Sequence, residues 1–198
     1  MERVKLLLVD INDVELEDLM SSALLTENNI KDIEKISLPE TKKEKIASSH
    51  LKNKYIGEYH LNERGKPLAN NCHFNISHSH GLVGIAINEK YEIGLDIEKV
   101  RDMDDLFKRY TMTEEEYSYA KDNEKFFELW TSKESLIKCR GTGIDKQMKD
   151  IPSLPIEGKK EYQEKKYYTR VLKIDDYVIC ITLENKDFEI DKGFLYLN

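Results

Sequence analysis

Cysteine is scarce in this chain: Cys72, Cys139 and Cys180 stand far apart, odd in number and without a CxxC pair. That argues against a disulfide framework or a structural zinc site and fits a reducing compartment. Long apolar runs are missing as well. The run Leu6-Leu7-Leu8-Val9 meets Asp10 at once, too short for a signal h-region or a membrane span. A cytoplasmic protein without a membrane partner is therefore expected. Positive charge is in deficit, with a formal net charge of -7, which disfavours general nucleic-acid binding. No GxxxxGK[ST] or GxGxxG loop occurs, so the phosphate cradles of common kinases and nucleotide hydrolases are absent. No low-complexity segment or clear linker breaks the chain.

What is present suits a globular protein. The 198 residues are 39% hydrophobic and 35% charged, enough for one large domain or two small halves with a core. Residues 4–9 read as a first strand. Leu16, Leu19, Met20, Ala23 and Leu24 recur at helical spacing over about three turns, followed by a looser connection. Pro39-Glu40 is a helix start. From Thr41 to Lys66 the charge inverts: Lys42, Lys43, Lys45, Lys52, Lys54, Arg64 and Lys66 face only Glu44, Glu58 and Glu63, a local sum of +4. A solvated helix and an anion-binding surface both explain it. Arg64-Gly65-Lys66-Pro67 is a turn signal.

His73-Phe74-Asn75-Ile76-Ser77-His78-Ser79-His80 follows Cys72, and three histidines beside a cysteine raise a transition-metal site. The spacing fits no common zinc pattern. Hydroxyl and imidazole groups at a strand end also suit phosphate oxygens. Leu82 to Ile87 reads as a buried strand, turned by Asn88-Glu89-Lys90 into a hairpin with the next one. That next strand holds Gly94-Leu95-Asp96-Ile97-Glu98. Its period of two puts Ile93, Leu95 and Ile97 on one face and Asp96 and Glu98 on the other. Two adjacent carboxylates repel, and a hard cation such as Mg²⁺ would relieve them; two ordinary surface acids are the plainer reading.

Residues 102–128 carry nine Asp or Glu against four Lys or Arg, mostly a solvated face. Within them Thr113 and Glu116 have the spacing of a capping box. Glu124 to Arg140 is the strongest helix, with Phe127, Trp130, Glu134 and Ile137 on one broad face. A carboxylate on such a face must be paired, protonated or bound to metal. An i,i+4 salt bridge from Glu134 to Lys138 is the simplest pairing. Gly141-Thr142-Gly143 ends the helix. The rest is β-rich, with strands at 167–174, 177–183 and 188–197. The hairpin around Asp175-Asp176 is patterned like that of residues 82–98, a weak sign of duplication.

Four motifs stand in one order: Gly65-Lys66-Pro67; Phe74-Asn75-Ile76-Ser77-His78-Ser79; Gly94-Leu95-Asp96-Ile97-Glu98; and Trp130-Thr131-Ser132-Lys133-Glu134 through Lys138, with Gly141 and Gly143. Together they resemble the 4'-phosphopantetheinyl transferase superfamily, in its double-length, monomeric type that activates peptide and polyketide synthetases. The residue pattern alone gives α+β. The resemblance implies more: two similar halves related by a pseudo-twofold, each a small antiparallel sheet with packed helices, and coenzyme A in the cleft between them. The halves would be 1–99, with the basic coenzyme A-binding segment, and 100–198, with the catalytic helix.

The implied reaction moves the phosphopantetheine arm of coenzyme A to a serine of an apo acyl or peptidyl carrier protein and releases adenosine 3',5'-bisphosphate. By similarity, Asp96, Glu98 and Glu134 would hold Mg²⁺. Glu134 is the first choice for the base and Glu116 the second, with Glu114 in reach of the same motif if the register slides. Lys138 would neutralise charge on the transferred phosphate. Lys66 and Pro67 would border the nucleotide, Ser77 and His78 its phosphates, and Lys42 and Lys45 the 3'-phosphate. An arginine usual in the basic helix is replaced here by Lys52 and Lys54, which lack its bidentate fork. A silent carrier- or coenzyme A-binding paralogue is the competing reading, though no metal or lysine position is broken.

Overall fold

The computed structural model describes residues 1–143 and 147–197. The chain runs β1 (Glu2–Asp10), α1 (Leu16–Ser22), α2 (Glu27–Glu34), α3 (Pro39–Tyr55), a short hairpin β2 (His60–Leu61) and β3 (Pro67–Leu68), then β4 (His73–Ser79), β5 (Leu82–Asn88) and β6 (Ile93–Lys99). It continues with α4 (Asp105–Thr111), α5 (Glu114–Tyr119), α6 (Asn123–Arg140), a 3₁₀ turn at Met148–Asp150, and strands β7 (Gly158–Tyr162), β8 (Lys165–Ile174), β9 (Tyr177–Glu184) and β10 (Phe188–Leu195). This is an α+β fold. Its two four-stranded sheets are ordered β10-β1-β5-β4 and β6-β9-β8-β7.

The sheets pack face to face. Val4, Leu6 and Leu8 of β1 meet Ile93, Leu95 and Ile97 of β6 and Ile179, Ile181 and Leu183 of β9 in one apolar layer. The opposite face of β1 is buried too, where Leu7 and Val9 join Leu19, Ile33, Ile46 and Leu51 of the first three helices. That double burial explains the unbroken apolar run, since a strand covered on both sides loses its alternation. Each fully buried Leu or Ile contributes roughly 1.5–3 kcal/mol.

Several expectations change. The hairpin of residues 82–98 does not form: β5 pairs with β1 and β4, whereas β6 pairs with β9 in the other sheet. Asn88 does make the turn, its Oδ1 accepting from the amides of Lys90 and Tyr91, but the chain leaves it for the second layer. The first sheet is not wholly antiparallel, because β10 runs parallel to β1. Thus β6 enters the second sheet and β10 returns to the first. Helix α1 ends after Ser22, short of three turns, and the looser connection contains α2. The Thr26 cap of α2 pairs with Asn29, an amide where the usual capping box has Glu or Gln.

Candidate active site

Helix α6 lies across β6, and a missing side chain lets it. A Cβ on Gly94 would stand 1.9 Å from the Ser135 carbonyl oxygen and 2.4 Å from the Cys139 nitrogen. The helix starts on the Asp122 cap, which accepts from the Lys125 amide at 2.7 Å, and ends at Gly141 in the left-handed conformation. It is buried on most sides. Trp130, Glu134 and Lys138, four residues apart, form its one stripe along a cleft.

That cleft measures about 590 Å³. Asp96 and Glu98 of β6 form one wall with the α6 stripe, and Ser77 and His78 of β4 another. Thr41, Lys45, Ser48 and Lys52 enter from α3. Seven of the residues proposed from the sequence, Lys45, Ser77, His78, Asp96, Glu98, Glu134 and Lys138, therefore share one space.

Asp96 is only 5% exposed. Its Oδ1 accepts from Lys138 Nζ at 2.6 Å and Ser77 Oγ at 3.3 Å. Its Oδ2 is buried without a protein partner. Burial, against the pull of Lys138 and with some help from Glu134 and Glu98, pushes the Asp96 carboxyl up to about 7. Glu134 is raised in the same direction, by burial first and by Glu98, with Lys138 opposing. The expected Glu134–Lys138 salt bridge is absent among the described residues; Lys138 crosses to Asp96 instead. Glu98 is held by Arg101 at 2.8 Å and Ser79 Oγ at 3.2 Å.

Among the described residues no three acidic, histidine or cysteine side chains stand close enough together to hold a metal ion as placed. The donor set nevertheless fits a hard cation: three mutually repelling carboxylates and an orphaned, buried Asp96 oxygen. The histidine cluster disperses, with His73 beside Glu92 at 3.1 Å and His78 beside Glu44 at 3.0 Å.

Other expected residues are placed elsewhere. Glu116 is buried, and its carboxylate is taken up by Lys133 at 2.7 Å, by the Thr113 amide at 2.9 Å and by Ser153. The capping box thus forms as its spacing predicted, and it absorbs the second-choice base. Lys66 is also committed, to Glu92 and to the Cys139 carbonyl at 2.6 Å near the end of α6. With Pro67 it lines an adjoining recess of about 250 Å³ that shares Ile76 and Lys138 with the main cleft. Lys42 lies on α3 but is not among the residues lining the cleft. Ser48 and Lys52 do line it, at helical spacing from Lys45; the i, i+3, i+7 pattern was the signal for them.

Residues 92–182, which carry Asp96, Glu98, Glu134 and Lys138, match the model of the 4'-phosphopantetheinyl transferase superfamily. Over these residues the chain is similar to that superfamily. It is 32% identical over 142 residues to the 4'-phosphopantetheinyl transferase Sfp of Bacillus subtilis strain 168, an alignment covering 67% of this chain and 58% of Sfp. It is 29% identical over 163 residues to HetI of Nostoc sp., also named a 4'-phosphopantetheinyl transferase, covering 70% of this chain and 68% of HetI. Its identity to the transferase Gsp of Aneurinibacillus migulanus is 39% over 93 residues, 43% of this chain and 39% of Gsp. The chain thus spans less than two thirds of Sfp and Gsp and about two thirds of HetI. Within the superfamily match, the acids and the lysine of the cleft come from β6 and α6.

Proposed function

We propose that this chain transfers the 4'-phosphopantetheine arm of coenzyme A to a serine hydroxyl of an apo acyl or peptidyl carrier protein, as a Mg²⁺-dependent enzyme. The observation that carries the reading is the meeting of Asp96, Glu98, Glu134 and Lys138 with the Lys45–Lys52 face of α3 in one cleft. In this reaction the serine Oγ bonds to the phosphorus that bears the pantetheine arm. The pyrophosphate P–O bond breaks, and adenosine 3',5'-bisphosphate leaves with the electron pair. Asp96, Glu98 and Glu134 would hold Mg²⁺, which when bound supplies charge neutralisation at the pyrophosphate.

The chain's own groups divide the remaining work. Glu134, half-buried on the wall of the cleft, is the carboxylate suited to take the serine proton. Lys138, its ammonium bonded to Asp96 Oδ1, offsets charge growing on the transferred phosphoryl group. Lys45 and Lys52, with the hydroxyls of Thr41 and Ser48, face the volume where the nucleotide phosphates would sit. His78 borders the same volume. The recess lined by Lys66 and Pro67 would take the base, with Lys66 bracing its wall. The two-halves reading, with a division near residue 99 and a monomeric, cytoplasmic enzyme, is part of the same proposal.

Intact-mass spectrometry of an apo carrier protein, incubated with this protein, coenzyme A and Mg²⁺, tests it. The expected result is a gain of one phosphopantetheine, lost with EDTA. Coenzyme A binding without any mass gain across several carriers would favour a silent binding paralogue. Neither binding nor gain would end the reading.

A further inference from the structure

The seam between the two sheets is not a backbone ladder. Strand β6 pairs with β9 on one edge, and its other edge runs beside β4. There Asn75 Oδ1 accepts from the Leu95 amide at 2.9 Å, Ser77 Oγ from the Ile97 amide at 3.1 Å, and Ser79 Oγ from the Lys99 amide at 3.2 Å. Three alternate side chains of one strand thus take three alternate amides of the next, in step, twenty residues apart.

Two of those hydroxyls do a second thing. Ser77 Oγ lies 3.3 Å from Asp96 Oδ1, and Ser79 Oγ lies 3.2 Å from Glu98 Oε2. A serine hydroxyl has one proton and two acceptor sites. With an amide filling an acceptor site, the proton is aimed at the neighbouring carboxylate. The unit repeats: hydroxyl 77 with amide 97 and carboxylate 96, hydroxyl 79 with amide 99 and carboxylate 98. At the Asn75 step the matching position is Gly94, where no carboxylate exists and α6 packs instead. His80 Nδ1 also lies 3.1 Å from Ser79 Oγ.

We infer that Ser77 and Ser79 are positioning residues for the two strand carboxylates. Each hydroxyl is anchored by a β6 amide and helps to fix one oxygen of the adjacent acid, beside Lys138 at Asp96 and Arg101 at Glu98. At Asp96 this leaves Oδ2 as the oxygen without a protein partner. The acids are thereby held by the opposite sheet, so the metal geometry is tied to the seam that joins the two layers. Outer hydrogen bonds of this kind commonly alter metal affinity by 10- to 100-fold. The inference rests on the reading of Asp96 and Glu98 as metal ligands.

Ser79 is the better probe, since Ser77 also touches Lys138 at 3.1 Å. Mn²⁺ binding followed by electron paramagnetic resonance, with urea unfolding in parallel, separates positioning from plain stability. Ser79→Ala is expected to weaken Mn²⁺ binding about tenfold. Ser79→Thr, which restores the hydroxyl, should return it to within about threefold. Ser79→Cys, which keeps the packing but donates weakly, should repeat the loss if the alanine variant folds poorly. A destabilised Ser79→Ala or Ser79→Cys that binds Mn²⁺ as tightly as wild type overturns the inference and leaves the metal reading intact. Wild-type protein that binds no Mn²⁺, indistinguishable from Asp96→Asn, overturns the metal reading and the inference with it.

Discussion

Asp96 is destabilising where it stands, and that is a signature of a group kept for binding. Its carboxyl is pushed from 3.8 to about 7, so the folded, metal-free protein holds this proton more tightly than the unfolded chain does. Its effect on stability is therefore neutral below pH 4 and grows unfavourable as pH rises towards 7. The full displacement corresponds to at most about 4 kcal/mol. Asp96→Asn should thus raise the metal-free unfolding free energy at pH 7.5, do little at pH 4, and abolish transfer. Urea titrations at the two pH values check this; equal effects at both would remove the burial argument. Lys138→Ala removes the cation beside Asp96 and should lower kcat about 100-fold, with a much smaller change in KM for coenzyme A. A change confined to KM would make Lys138 a binding residue. The carboxylates and Lys138 were legible because period two and helical spacing put them on definite faces. The fates of Lys66 and Glu116 were not. Lys66 is claimed by groups 26 and 73 residues away, and Glu116 by Lys133 and Ser153, 17 and 37 residues away. Local pattern carries no information about such partners.

At the scale of elements, the β6–α6 contact decides whether the site exists. Gly94→Ala would drive a methyl into the helix backbone at Ser135 and Cys139, which cannot yield as a flexible side chain could. The expected cost is about 3 kcal/mol or more, together with loss of transfer, because Glu134 and Lys138 would be lifted off Asp96. Thermal unfolding and the carrier assay together check it; a stable, inactive Gly94→Ala would point to a shift of α6 without loss of packing energy. Both elements were readable from sequence almost to the residue. α6 has a dense apolar pattern and a terminal glycine, and β6 has strict alternation. The partner of β6 was not readable. Adjacency in sequence and a competent turn at Asn88 favour a hairpin, yet the edge that would pair with β5 is taken by the side chains of Asn75, Ser77 and Ser79. Side chains that imitate a strand edge leave no mark in hydrophobic periodicity.

Across the whole molecule, the exchange of strands binds the layers into one unit. β10 supplies Phe188, fully buried between the sheets, and closes β1 by a parallel ladder from Glu2↔Phe188 to Val9↔Leu195. β6, from the first half of the chain, forms the edge of the second sheet and gives it the Asp96 wall. A fragment of residues 1–99 would lack both the strand beside β1 and the sheet that covers Val4, Leu6 and Leu8. A fragment of residues 100–198 would lack β6 and leave β9 as a bare apolar edge. Neither fragment should fold alone. Mixed together they should regain part of the native circular dichroism and of the proposed carrier-modifying activity, since every missing strand is supplied by the other piece. Two fragments that fold independently, each with dispersed amide resonances, would show instead that the halves are autonomous. The strand exchange would then matter for aligning the cleft rather than for stability. That outcome would separate the two demands on the seam: holding the sheets together, and holding Asp96 and Glu98 at a fixed distance from α6.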